Sequence, residues 1–324
     1  MGHKTVALAA ELQSSSKKRK FTTYHAAWPY FFIAPFVIIL LVFNLFPIIY
    51  TFFMSLTNWD GMGKFNIIGF DNYIRALDPK TSRFFMSLEN TAIILLMYLP
   101  ICMTVSLVIS EILCGKMVRH KKFLQISFFS PYLVAPIALG IMWSIMFDWK
   151  YGTVNRILTL LNLVDKPVNF LGIPLFAQGI MALMLIWKNG GYFVVMMMAG
   201  ITAIPSDYYE AAEIDGANAF QRFLKITLPL LKPVLTFLTM TSVIYGFQLF
   251  DEPFLLFSGG FTKSQPYGGP EGSVLTLVME VYDAAYRNFR FGFASTEAIL
   301  MFVVIVITSS TLVYMLNRGG KDEK

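Results

Sequence analysis

Six stretches of this chain run for about 20 residues or more with almost no charged side chain, the length at which an apolar helix crosses the hydrocarbon core of a bilayer. They fall at residues 28–57, 90–110, 123–147, 173–201, 230–257 and 291–316. Only Lys188, Lys232, Asp251, Glu252 and Glu297 interrupt them with charge, Lys232 near the start of the fifth, and Glu89 and Glu111 bracket the second. Lipid offers no hydrogen bonds, so every backbone N–H and C=O within such a stretch must be paired inside the chain. The expectation is therefore an all-α integral membrane bundle of six transmembrane helices. Pro35, Pro47, Pro100, Pro131 and Pro136 lie inside the spans and predict kinks rather than ends, since neighbouring helices can satisfy the freed carbonyls.

The spans fill nearly the whole length, and 56% of residues are hydrophobic against 14% charged, with a mean hydropathy of +0.60. That composition excludes a large soluble domain. It predicts one transmembrane domain at 28–316 between two cytoplasmic tails, 1–27 and 317–324. The apolar run Val6–Ala10 is too short for a secretory signal.

Orientation follows from Lys and Arg, which are retained on the cytoplasmic side of short loops. With the N terminus inside, segments 1–27, 115–122, 202–232 and 317–324 hold more of the 26 Lys and Arg residues than the longer outer segments, and Lys17, Lys18, Arg19 and Lys20 precede the first span. Both termini are expected in the cytoplasm of a bacterial-type cell membrane. The net charge of +6 is explained by this topology rather than by nucleic acid, because the basic residues flank membrane ends and form no patch.

Several chemistries are missing from the sequence. There is no GxxxxGK[ST] phosphate loop, no HExxH, no GxSxG elbow and no Cys/His cluster at ligand spacing, so neither an ATPase site, a metal site nor any bound cofactor is expected. Asp251 and Glu252 are adjacent and diverge on a helix, unlike a catalytic carboxylate pair. Cys102 and Cys114 lie in or at the end of the second span, where a stabilising disulfide is not expected.

Segment 202–229 is a polar interruption. Asp207 with Glu210 three residues later has the spacing of a capping box, and Gly216 suits a helix end with positive φ. Asn218 with Gln221 offers a second helix start, after which Phe220, Phe223 and Leu224 share a face. Pro229 and Pro233 then turn the chain toward the fifth span. Ala211 and Ala212 keep the first helix low in profile, while Glu210 offers a charge to a basic partner. A docking knob and an amphipathic helix on the membrane surface both fit, although Asp207, Glu210, Glu213 and Asp215 suit an anionic leaflet poorly.

Glu210, Ala211, Ala212, Gly216, Ile226, Leu228 and Pro229, at their fixed spacing, match the EAA loop of binding-protein-dependent ABC importer permeases. Asp215, Gly216, Ala217, Phe223 and Pro233 resemble its carbohydrate-uptake branch, as do FPIIYTFFMSLTNWD, GFDNY, FFSPYLVAPIALGIMW, DWKYGTVNRIL, WKNGGY, FQLFD and NFRFGFAS. The likeness covers about residues 28–316 and is nearest to the larger membrane subunit of maltose-type transporters, without its large periplasmic insertion. It implies a type I ABC importer permease fold and a heterodimer with a second homologous permease. It also implies two ABC ATPase subunits that use the ATP and an extracytoplasmic solute-binding protein that delivers the sugar. Glu210, Ala211, Ala212, Asp215, Gly216, Phe223, Ile226, Leu228 and Pro229 would couple the chain to the ATPase. A permease for a polyol or glycerol phosphate, or a secondary transporter, remains an alternative.

Sugars need aromatic faces and a few hydrogen-bonding groups. Trp187 and Asn189 in the fourth span, and Tyr245, Phe247, Gln248, Phe250 and Asp251 in the fifth, are candidates for a substrate pathway. Lys188 within the bilayer requires water or a partner, and Asp251 or Glu297 could supply an ion pair. The Gly- and Pro-rich outer segment 258–290 reads as a connection without a core of its own, or as a surface for the binding protein.

Overall fold

The computed structural model describes residues 27–115, 118–257 and 266–318; side chains are described from Tyr30 to Met315 within these bounds. Apart from their membrane-proximal residues, the two expected tails lie outside them. The chain divides into two compact units at Thr51.

The first unit is a helical arm, α1 (Ala27–Leu40), a π turn (Leu41–Leu45) and the start of α2 (Phe46–Ser55). Phe46 N–H reaches back five residues to the Leu41 carbonyl just before Pro47. Proline lacks an N–H and its ring crowds the carbonyl four residues back, so the wider turn lets the helix pass Pro47 without breaking. No residue of this arm from Tyr30 to Tyr50 is buried, the pattern of a helix solvated by lipid on most sides.

The second unit begins at Phe52 and is organised on two long helices. After the short α3 (Asp71–Ala76) comes α4 (Phe84–Cys114), the second span, which packs along much of its length against α8 (Pro174–Thr202), the fourth. Small and hydroxylated side chains let the backbones approach: Ser106 Oγ donates to Gly190 O and Ser110 Oγ to Val194 O, each at 3.1 Å. Ile94, Leu95, Met181 and Met184 fill the seam, and Cys102 is a buried free thiol.

The third expected span is not one helix. It consists of α5 (Lys121–Phe129), a 3-10 turn (Ser130–Leu133) and α6 (Pro136–Met146), bent by 91°. Proline drives the residue before it out of the helical region, and Val134 and Ala135 are extended with ψ of 131° and 136°. The elbow is held against α8, where a Cβ on Gly191 would collide with the Phe128 carbonyl. Among the described residues, five helices are long and apolar enough to cross a membrane, or six when this bent pair counts as one span.

Beyond α6, α7 (Thr153–Leu160) and a 3-10 turn (Phe170–Gly172) lead to α8. The polar segment forms α9 (Ser206–Ile214) and α10 (Ala219–Arg222), which continues through a π turn (Phe223–Thr227) into α11 (Leu228–Phe247). The fifth span therefore runs Ala219–Phe247, not 230–257. It stops because Pro253 cannot donate to the Leu249 carbonyl; the chain breaks at 248–250 and restarts as α12 (Asp251–Phe257), while Thr276 Oγ donates to Leu249 O at 2.7 Å.

The outer segment also departs from expectation. Residues 258–265 lie outside those described, but 266–290 is folded into a 3-10 turn (Pro270–Gly272), α13 (Leu277–Tyr282) and a π turn (Asp283–Arg287) before α14 (Phe291–Arg318). Val274, Leu275, Leu277 and Met279 are buried. Asn90 Nδ2 donates to Gly272 O at 2.7 Å and Gln178 Nε2 to Ser273 O at 2.9 Å, so the segment caps α4 and α8 and shares their core. Arg83, at the entrance of α4, pairs with Glu280 at 2.8 Å and Asp283 at 2.5 Å. Burial works against the Arg83 charge, but the two carboxylates outweigh it and hold its pKa above the ordinary value; burial raises that of Glu280 despite the guanidinium.

Candidate functional site

Two places in this apolar chain bring together polar residues singled out from the sequence. The first is a cavity of ≈ 430 Å³ bounded by α4, α8, α11 and the break that follows it. Interrupting α11 at 248–250 turns Gln248, Phe250 and Asp251 into one wall, and the elbow of the third span contributes Tyr132. Gln248 and Asp251 thus meet across a break rather than on successive turns of one helix.

Of the residues singled out from the sequence, Lys188, Asn189, Tyr245, Gln248, Phe250 and Asp251 line this cavity. Trp187, Phe247 and Glu297 do not. Trp187 sets its ring edge-on to Trp143 at 6.4 Å, and Phe247 is buried in the core. Glu297 is fully buried elsewhere and accepts from Ser82 Oγ at 3.2 Å, so it is not the partner of Lys188. Neither is Asp251: Lys188 Nζ forms a close ion pair with Glu252. The cavity also exposes Tyr98, Tyr192, Thr241 and Ser242, which sequence reasoning missed. Tyr132 and Tyr192 stack at 5.0 Å, and Phe250 stacks on Phe254 at 4.9 Å. The result is a wall of aromatic faces with hydroxyls, amides and a carboxylate among them.

The second place is the α9–α10 hairpin. The expected cap at Asp207 does not form: Pro205 is the N-cap, and Asp207 lies in the first turn, where its charge suits the helix dipole. The other end behaves as expected. Gly216 has φ +78°, and Ala217 N–H returns to Ala212 O at 2.9 Å. Asn218 and Gln221 form a reciprocal capping box, with both bonds at 2.9 Å. Two contacts fasten the arms together, Tyr209 Oη to Thr227 Oγ1 at 3.0 Å and Arg222 to Glu213 at 3.3 Å. Neither was foreseen.

Leu228 N–H bonds to Phe223 O, five residues back, immediately before Pro229. The turn ahead of Pro47 is built the same way, and here it lets the hairpin's second arm run into the span as one continuous helix. Phe223, Ile226 and Leu228 are half-buried along that arm, while Pro229 is exposed. At the tip Glu210, Ala211, Asp215 and Gly216 are exposed and Ala212 is half-buried, beside the exposed apolar side chains Ile214 and Phe220. The tip thus presents an exposed glutamate among small residues, flanked by uncovered apolar groups, at the end of a continuous helical stem.

Residues 80–319 match the family described as binding-protein-dependent transport system inner membrane component. The chain belongs to this family. It is 30% identical over 301 residues to the lactose transport system permease protein LacF of Rhizobium radiobacter, covering 93% of this chain and 96% of that one. It is 32% identical over 284 residues to the arabinooligosaccharides transport system permease protein AraP of Bacillus subtilis, covering 87% and 86%. The fold is similar to that of a chain in the crystal structure of a bacterial alginate ABC transporter in complex with alginate pentasaccharide-bound periplasmic protein, with a TM-score of 0.76 at 20% identity, covering 93% of this chain and 98% of that one. Family membership makes this chain a multi-pass inner membrane component of a transport system, and the hairpin and the cavity are the parts of it that require a use.

Proposed function

We propose that this chain is one permease subunit of an ATP-driven importer for a sugar or oligosaccharide delivered by an extracytoplasmic binding protein. The observation that carries the reading is the fastened hairpin: it offers an exposed Glu210 and apolar neighbours on a stem that runs uninterrupted into the helix bounding the cavity. A push on such a tip is transmitted to the cavity wall, because the π turn keeps the helix continuous past Pro229 and the Tyr209 and Arg222 contacts stop the arms from hinging. Two partner ATPases would hydrolyse the ATP and press on this surface, and a second, similar permease would close the pathway. Neither ATP nor another cofactor is assigned to this chain.

The cavity lining supports a saccharide as cargo, since aromatic faces cover C–H surfaces while Gln248, Asn189, Thr241 and Asp251 meet hydroxyls. The relatives named for lactose and arabinooligosaccharides point to the same class. The hairpin and both termini belong in the cytoplasm on this reading.

The test is Glu210→Lys in the assembled transporter. Sugar uptake is expected to fall by at least about tenfold and the ATPase to be lost on purification, while the amount of the permease pair in the membrane stays unchanged. Wild-type uptake by the variant would remove Glu210 from the coupling surface.

A further inference from the structure

The charge of the cavity narrows the cargo. Its charged lining residues are Lys188, Asp251 and Glu252; the remaining titratable ones are Tyr98, Tyr132, Tyr192 and Tyr245. Lys188 is bound to Glu252, with side chains 15% and 9% exposed, so the two charges cancel and the ammonium is committed. Asp251 is exposed and has no ion-pair partner among the described residues. Among the described residues, the wall of the cavity therefore presents one free carboxylate and no free cation.

We infer that this cavity passes uncharged or amine-bearing saccharides and rejects those carrying a carboxylate, phosphate or sulfonate. A carboxylate is an acceptor only, and sugar hydroxyls are donors, so Asp251 can hold a hydroxyl pair or an ammonium on the cargo. An anion in the same position would meet a like charge, with no basic side chain among the described lining residues free to neutralise it. The bland alternative is that Asp251 merely complements the first turn of α12. That role would be filled equally by a carboxylate turned away from the cavity, whereas this one forms part of its lining.

The inference rests on the saccharide reading above, and one experiment separates the two. The full complex, with its second permease and ATPases but without the binding protein, is placed in lipid nanodiscs. Saturation-transfer NMR then compares neutral malto-, arabino- and chito-oligosaccharides with oligogalacturonates of matched length. Neutral chains are expected to bind at least about tenfold more tightly than the uronates. Asp251→Asn should raise the uronate-to-neutral ratio by about tenfold, and Asp60→Asn, outside the cavity, should leave it at the wild-type value. Uronates binding the wild type as well as neutral chains overturns the charge inference and leaves the saccharide reading intact, as does a ratio that Asp251→Asn does not move. Binding of neither kind overturns both.

Discussion

A lysine part-way along an apolar helix persists only with a partner, and Lys188 has one in Glu252, both largely buried. The need was legible in the sequence and the partner was not. Neighbouring helical residues point roughly 100° apart, so whether Asp251 or Glu252 faces Lys188 depends on where α12 begins. Pro253 decides that by ending α11 early, and hydropathy reads straight through the break. Tyr98, Tyr132 and Tyr192 were hidden for another reason: with 16% aromatic residues, an aromatic ring by itself carries little information until α4, α8 and the third-span elbow are packed. Breaking the pair from one side strands a buried charge. Lys188→Met is expected to cost about 3–5 kcal/mol in thermal unfolding in detergent, and Lys188→Met with Glu252→Leu to recover more than half of it. A single variant as stable as wild type would mean that the pair carries no such penalty.

At the level of elements, the sequence reads best where local chemistry decides. The Asn218–Gln221 capping box and the Gly216 turn depend on residues a few positions apart, and both form as read. The Asp207 cap failed for an equally local reason, since Pro205 begins the helix two residues earlier. The Tyr209–Thr227 and Arg222–Glu213 links join separate arms and leave no periodic trace. Segment 266–290 was misread because glycines and prolines around 266–272 mask the apolar run Val274–Met279, whose burial requires α4 and α8 to be in place.

Arg83 fastens that segment, and its removal should be visible in the dependence of stability on pH. Its side chain is 44% exposed, so solvent screening limits the loss from Arg83→Ala to about 1–3 kcal/mol at neutral pH. Burial already holds the Glu280 pKa above its reference of 4.5, and without the guanidinium it rises further. An acid with a raised folded pKa binds its proton more tightly in the folded state, so the penalty is absent below about 4.5 and grows as pH climbs through the folded value. Unfolding of Arg83→Ala followed from pH 8 to pH 5 should show its deficit shrinking on acidification; a deficit independent of pH would assign Arg83 a packing role alone.

For the whole molecule, span count and orientation came from two different signals with different reach. Apolar length located the membrane helices; it erred where proline reshaped them, at the third span and at both ends of the fifth, and at the second, whose helix extends beyond Glu89 and Glu111 to Phe84 and Cys114. Sidedness rests on Lys and Arg, whose excess on one side is moderate, and the proposed coupling depends on it: a hairpin facing outward could not meet an ATPase. Cysteine labelling tests this directly after Cys102 and Cys114 are replaced by alanine. Ser206→Cys lies on the exposed start of the hairpin and Asp60→Cys on the exposed loop after the first span. A membrane-impermeant maleimide applied to intact spheroplasts should modify Cys introduced at 60 and spare that at 206 until the membrane is opened. The reverse pattern would turn the molecule over, and with it the hairpin would lose its access to cytoplasmic ATP and the proposed mechanism its source of energy.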